Sequence, residues 1–112
     1  MQFLVDIGVN SIACQSNVSI RDRAFNYGDG CFTTMYAYNR IVSLFARHLQ
    51  RLSRDTAKLG IQIDIRAIKH KVLETLSSCE NIDDVALVIK IHISRGVGGR
   101  GYELPEHATT SV

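Results

Sequence analysis

Val85-Ala86-Leu87-Val88-Ile89-Lys90-Ile91-His92-Ile93-Ser94 runs straight into Arg95-Gly96-Val97-Gly98-Gly99-Arg100-Gly101-Tyr102, and this stretch decides the architecture. Val85, Leu87, Ile89, Ile91 and Ile93 are apolar at alternate positions, the period of a strand with one buried face. Ala86 and Val88 extend the apolar character to the other face before Lys90, His92 and Ser94 turn polar. The pattern predicts a central strand, one side against helices and its far end emerging into a wet pocket. The segment after it contains G-x-G-x-x-G, but a dinucleotide site needs a helix to start inside that motif and an acid about 20 residues on. Glu103 to His107, with Pro105 among them, has no helical stripe, so a dinucleotide fold is excluded. What remains is two arginines and a tyrosine among four glycines. Glycine lets backbone approach a ligand closely, and each arginine offers a planar fork of donors, so the segment reads as an anion site.

Upstream the period changes. Phe45, Leu49, Leu52, Thr56 and Leu59 form one helical stripe, closed by Gly60 at the C-terminal cap. Asp64 caps a second helix, whose buried stripe is Ile65, Ile68, Val72, Leu76 and Cys79 and which ends at Ser77-Ser78 and Asn81 to Asp84. The first half is strand-like. Phe3, Val5 and Ile7 alternate, Gly8 and Asn10 mark a turn, and a short extended piece follows from Ser11 to Cys14. Tyr27-Gly28-Asp29-Gly30 predicts a tight bend in which Asp29 bonds its own backbone. Cys31 to Tyr38 and Ile41 to Phe45 then form a hairpin across Asn39-Arg40. The order strand, strand, helix, helix, strand implies an α+β domain: an antiparallel-rich sheet with both helices packed on one face.

Composition narrows the function classes. The 112 residues suffice for one domain, and 46% hydrophobic with 21% charged residues is a globular balance. The seven basic residues between Arg47 and Lys71 sit on helices without exposed aromatics interleaved after Phe45, which is a solvated face, and no nucleic-acid partner is expected. Cys14, Cys31 and Cys79 are odd in number and widely spaced, so no disulfide framework is expected. His48, His70, His92 and His107 make no short-spaced ligand pair, and no metal is expected. His92 and Cys31 read as packed structural residues. Without a signal peptide or a long apolar span, the expectation is a cytoplasmic protein with no membrane contact.

Four motifs carry a name. Asp22-Arg23-Ala24, Tyr27-Gly28-Asp29-Gly30-Cys31-Phe32-Thr33-Thr34, His48-Leu49-Gln50-Arg51-Leu52 and Ser94 to Tyr102 resemble, in that order, the N-terminal domain of the class IV pyridoxal-phosphate enzymes. That family holds branched-chain and D-amino-acid aminotransferases together with 4-amino-4-deoxychorismate lyase. Gly-Asp-Gly-Cys-Phe-Thr-Thr and Ser-Arg-Gly-x-Gly-Gly-Arg-Gly-Tyr are most similar to the lyase branch. The resemblance spans essentially the whole chain but only about the first two-fifths of a family member. It therefore implies that residues 1–112 are the small N-terminal domain of a fold-type IV enzyme. The large C-terminal domain would lie outside this chain, joined to it covalently or present as a second polypeptide.

The resemblance also implies roles. Arg51 matches the family arginine that binds the phosphate of pyridoxal 5'-phosphate; Arg47, Arg54 and Lys58 share its polar face, so periodicity does not select it. Arg100 and Tyr102 match the loop that meets the substrate carboxylate, with Arg95 as the alternative cation and the better loop anchor. Phe32 matches a pocket-lining position that is a tyrosine in some aminotransferases, and without a phenol hydroxyl it has no acid–base role. The family's catalytic lysine belongs to the large domain, and none of Lys58, Lys69, Lys71 and Lys90 matches it. The implied whole enzyme is a homodimer that converts a dicarboxylate, 4-amino-4-deoxychorismate, to 4-aminobenzoate and pyruvate in folate synthesis. The isolated chain is expected to be inactive. An aminotransferase of the same class and a non-catalytic anion-binding or interaction module are the alternatives.

Overall fold

The computed structural model of the chain describes residues 2–8 and 18–97. These form β1 (Gln2–Gly8), α1 (Arg23–Tyr27), β2 (Gly30–Tyr38), β3 (Ile41–Val42), α2 (Phe45–Leu59), α3 (Ile65–Ser78) and β4 (Ala86–Ser94). The strands make one sheet in the order β1-β4-β2-β3, every neighbouring pair antiparallel. β4 is hydrogen-bonded along both edges, from Gln2↔Ser94 to Gly8↔Val88 on one side and from Gly30↔Ser94 to Tyr38↔Ala86 on the other. The alternating apolar run is thus a central strand.

Both long helices cover the same face. Leu87, Ile89, Ile91 and Ile93 of β4 and Met35 and Ala37 of β2 are buried against Leu52 of α2 and Ile68, Val72 and Leu76 of α3. Each fully buried Leu or Ile contributes about 1.5–3 kcal/mol through removal of its surface from water. Gly60 caps α2 in the left-handed conformation at φ 71°, and the Asp64 carboxylate accepts from the Arg66 and Ala67 amides at 3.1 Å each to start α3. The layer order is the α+β arrangement expected from the sequence.

Strand alternation sends Phe32, Tyr36 and Tyr38 of β2 and Val88 of β4 to the other face, where all four are exposed. No described helix is long and apolar enough to cross a membrane.

Three local expectations change. The second hairpin strand is two residues long, not five, because Leu44 adopts a left-handed conformation at φ 54° and turns the chain into α2. The bend before Gly30 is the end of a five-residue helix, α1, stopped by Gly28 at φ 67°. Leu59, placed in the buried stripe of α2, is exposed. The extended piece expected from Ser11 to Cys14 lies outside the described residues.

Candidate functional site

The motif residues gather where β2 begins and β4 ends. Asp22 is buried, and its two carboxylate oxygens do separate jobs. Oδ2 accepts from the Phe25 amide at 3.0 Å and starts α1, while Oδ1 accepts from the Ser94 hydroxyl at 2.6 Å. Ser94 Oγ in turn accepts from the Gly96 amide at 3.0 Å and the Ala24 amide at 3.4 Å. Backbone bonds complete the seam: Arg23 N to Gly96 O at 2.9 Å and Arg95 N to Asp29 O at 3.2 Å. Asp22-Arg23-Ala24 is therefore a clamp on the end of β4. The clamp also requires Gly30, because a Cβ there would run into the backbone carbonyl of Ile93 and lie 3.2 Å from the Ala24 Cβ.

Asp29 is the charged centre of the clamp. Its Oδ2 accepts from Arg23 Nε at 2.6 Å and from Arg95 Nε at 2.9 Å, with Arg23 3% and Asp29 15% exposed. The carboxylate does not bond its own backbone as the turn reading expected, because two guanidiniums are stronger partners than a peptide amide. Burial alone would raise its pKa. The hydrogen bonds and charges of Arg23 and Arg95 outweigh that and hold it below the ordinary 3.8. Arg95 also donates from Nη2 to the carbonyl of Leu59 at 2.6 Å, which places a cation at the C-terminal end of α2. Among the described residues no buried side-chain nitrogen or oxygen is left without a partner.

α2 brings Arg51 toward the same end. Thr33 Oγ1 and His48 Nδ1 lie 2.8 Å apart and pin the helix to β2, and one turn further on Arg51 projects outward, 60% exposed. Its ion pair with Asp55 is long, 3.8 Å. Burial pushes the Cys31 thiol pKa up, and the nearby Asp55 charge adds to this, which ties the Arg51–Asp55 pair to the start of β2.

Phe32 follows Cys31 and points to the open face. Lys90 Nζ sits 4.4 Å from the centroid of its ring, and the His92 ring lies 6.1 Å away. His92 is held below its usual pKa by burial first and by the Lys90 charge second, with Asp6 working in the opposite direction. Arg51 and Phe32 thus share one end of the sheet but stand on opposite sides of it. Arg100 and Tyr102 lie outside the described residues.

Sequence reasoning passed over Asp22, Ser94 and Lys90. Asp22 and Ser94 had a signal, since both belong to motifs, but their partnership spans 72 positions. Lys90 had none beyond being the first cation on the polar side of β4. A groove of roughly 630 Å³ beside Ala46, Leu49, Gln50, Ser53, Arg54 and Ile65 contains none of these residues.

The profile of the amino-transferase class IV family matches residues 30–112, from the clamp glycine onward. The chain belongs to that family. Within it, the chain is 39% identical over 89 residues to an aminodeoxychorismate lyase of Vibrio harveyi, which covers 79% of this chain and 31% of that protein. It is also 37% identical over 92 residues to a putative branched-chain-amino-acid aminotransferase of Methanocaldococcus jannaschii, covering 79% and 30%. The crystal structure of 4-amino-4-deoxychorismate lyase from Pseudomonas aeruginosa superposes with a TM-score of 0.73 at 30% identity, over 96% of this chain and 36% of that one. The chain spans about a third of the length of these class IV relatives. Its sheet and two helices form the small domain of the fold-type IV pyridoxal-phosphate architecture.

Proposed function

We propose that this chain is the small N-terminal domain of a pyridoxal-phosphate-dependent, cytoplasmic, homodimeric enzyme that converts 4-amino-4-deoxychorismate to 4-aminobenzoate and pyruvate in folate synthesis. The observation that carries the reading is the convergence at one end of the sheet of the β4 clamp, Phe32 and Arg51, each from a class IV motif, of which the wording around Phe32 and that after β4 are most similar to the lyase branch. The residues present suit the cofactor. Arg51 is exposed and its ion pair with Asp55 is long, so a phosphate, which takes the guanidinium bidentately, is the better partner. Arg51 would hold that phosphate. Pyridoxal phosphate, when bound, supplies an electron sink for the charge left when the proton at the amine-bearing carbon departs.

The chain's own residues bind and orient. Phe32 gives an apolar wall that excludes water and exchanges no proton. Lys90, over its ring, adds a fixed positive charge on the open face, suited to an anionic substrate. Burial first and the Lys90 charge second lower the His92 pKa, which favours the neutral ring beside that cation. Arg95 is committed to Asp29 and Leu59, which leaves Arg100, with Tyr102, to meet a substrate carboxylate. The proton at the amine-bearing carbon is assigned to a lysine outside residues 1–112.

The second reading is a class IV aminotransferase, favoured by the likeness to the Methanocaldococcus jannaschii protein. The polypeptide carrying this chain, given 4-amino-4-deoxychorismate, is expected to release 4-aminobenzoate and pyruvate in equal amounts. Transfer of the amino group to a 2-oxo acid instead would support the aminotransferase. Binding of small carboxylates with neither reaction would favour a non-catalytic module.

A further inference from the structure

The basic face of α2 and α3 is interrupted by one furrow. Ala46, Leu49, Gln50, Ser53 and Arg54 recur at helical spacing along one side of α2, and with Ile65, the first residue of α3, they line the groove of roughly 630 Å³. Its wall is mostly apolar, and the small side chains of Ala46 and Ser53 leave the depth that larger ones would fill. From Ala46 to Arg54 the groove runs about 12 Å along the helix, a little over two turns.

Both ends carry a cation. Arg54 lines one end; at the other, Lys69 reaches across from α3 and puts its Nζ 6.0 Å from the centroid of the Phe45 ring, next to Ala46. Arg47 and Arg66, each adjoining a groove residue in sequence, are exposed as well. The acids on these two helices are engaged: Asp55 faces Arg51 at 3.8 Å and Glu74 faces His70 at 3.5 Å. Asp64, just before α3, accepts from two backbone amides. Among the described residues no ion pair holds Arg47, Arg54, Arg66 or Lys69.

We propose that this groove is the docking site for an acidic amphipathic helix of a partner protein. Apolar side chains at i, i+3 or i+4, and i+7 of that helix enter the groove, and carboxylates toward its ends meet Arg54 and Lys69. Charge complementarity selects the partner, because a cation at each end of an apolar trough favours apolar and acidic residues on one helix face. The groove is concave and receives side chains, whereas a lipid surface calls for apolar side chains that project from a cationic face. The proposal does not depend on the reaction assigned above.

The test uses the polypeptide carrying this chain and a fluorescent peptide of about 18 residues, five helical turns, with leucines at i, i+4 and i+7 and glutamates on the flanking positions. Fluorescence anisotropy is expected to show saturable binding. A peptide of the same composition with its leucines spread around the helix should bind about tenfold more weakly or worse. Arg54→Glu combined with Lys69→Glu should lower affinity by about tenfold or more. Lys58→Glu combined with Lys71→Glu makes the same charge change on exposed residues that do not line the groove, and should alter affinity less than about threefold. Ser53→Trp fills the groove without altering its charge and is expected to weaken binding about tenfold, which separates shape from charge. Circular dichroism verifies the fold of each variant. No peptide binding, equal binding of the two peptides, equal losses in the two double variants, or full affinity in Ser53→Trp overturns the proposal. So does binding to phosphatidylglycerol vesicles in place of the peptide.

Discussion

Replacing Gly30 by alanine should do much more harm than its single methyl suggests. Gly30 faces Ser94 across the β2–β4 ladder, and a Cβ there would overlap the Ile93 carbonyl oxygen and lie 3.1 Å from its carbonyl carbon. Those atoms are backbone of the central strand and cannot swing aside as a side chain can. Relief requires the two strands to part at the Ser94 end. Overpacking of this kind costs about 1–3 kcal/mol, with a rigid obstacle at the upper end of that range. A ladder hydrogen bond lost in the parting adds about 1 kcal/mol. The total is on the order of 3–4 kcal/mol, out of the roughly 5–15 kcal/mol that holds a domain of this size together. At about 4–8 °C per kcal/mol near this chain length, the midpoint should fall by about 12 °C or more. Gly28→Ala is the internal control. Nothing lies within 4 Å of its Cβ, and only the positive φ of 67° is penalised, at about 1 kcal/mol. Thermal and urea unfolding followed by circular dichroism measure both. If Gly30→Ala proves no more costly than Gly28→Ala, the close approach of β2 to β4 is not what the structure describes.

Other outcomes are as specific. Arg51→Ala in the complete enzyme should leave the fold intact, since the side chain is exposed, and weaken pyridoxal-phosphate binding about ten- to a hundredfold, the loss of a charge-assisted contact worth ~1.5–3 kcal/mol; cofactor titration into the apoenzyme measures it, and unchanged affinity would remove Arg51 from the phosphate site. His92 should titrate below 6.5 by proton NMR, and Lys90→Gln should move it back up. The fold favours the neutral ring, so its contribution to stability is complete above 6.5 and is lost as pH falls from there through the lowered value.

Elements whose stability is local were legible, and those held from a distance were not. β4 announced itself through five alternating apolar positions, and α2 and α3 through their stripes and the caps at Gly60 and Asp64. Helix α1 has no apolar stripe; its buried residue is an arginine and its Phe25 is exposed. It exists because Asp22 caps it and because the Ser94 hydroxyl, 70 positions away, accepts from Ala24. Asp29 looked like a self-bonded turn residue for the same reason, since one of its two partners is 66 positions distant. The site was partly visible. Arg51 and Phe32 both needed a family resemblance: three neighbouring cations share the face of Arg51, and Phe32 is one of several aromatics along Cys31 to Tyr38. Arg95 already read as a loop anchor from its place after Ser94, but its partners, Asp29 and Leu59 on two other elements, emerged only from the structure.

The central claim is that this chain supplies the binding half of the site and that the lysine bonded to the cofactor lies elsewhere. Borohydride reduction in the presence of pyridoxal phosphate, followed by peptide mass mapping, tests it most directly, because reduction fixes the cofactor permanently on whichever lysine carries it. Lys58, Lys69 and Lys71 are exposed on helices, and Lys90 is engaged with the Phe32 ring at 4.4 Å. The account predicts no stoichiometric label on any of these four. Stoichiometric modification of a single one, Lys90 above all because it stands beside Phe32, would contradict it.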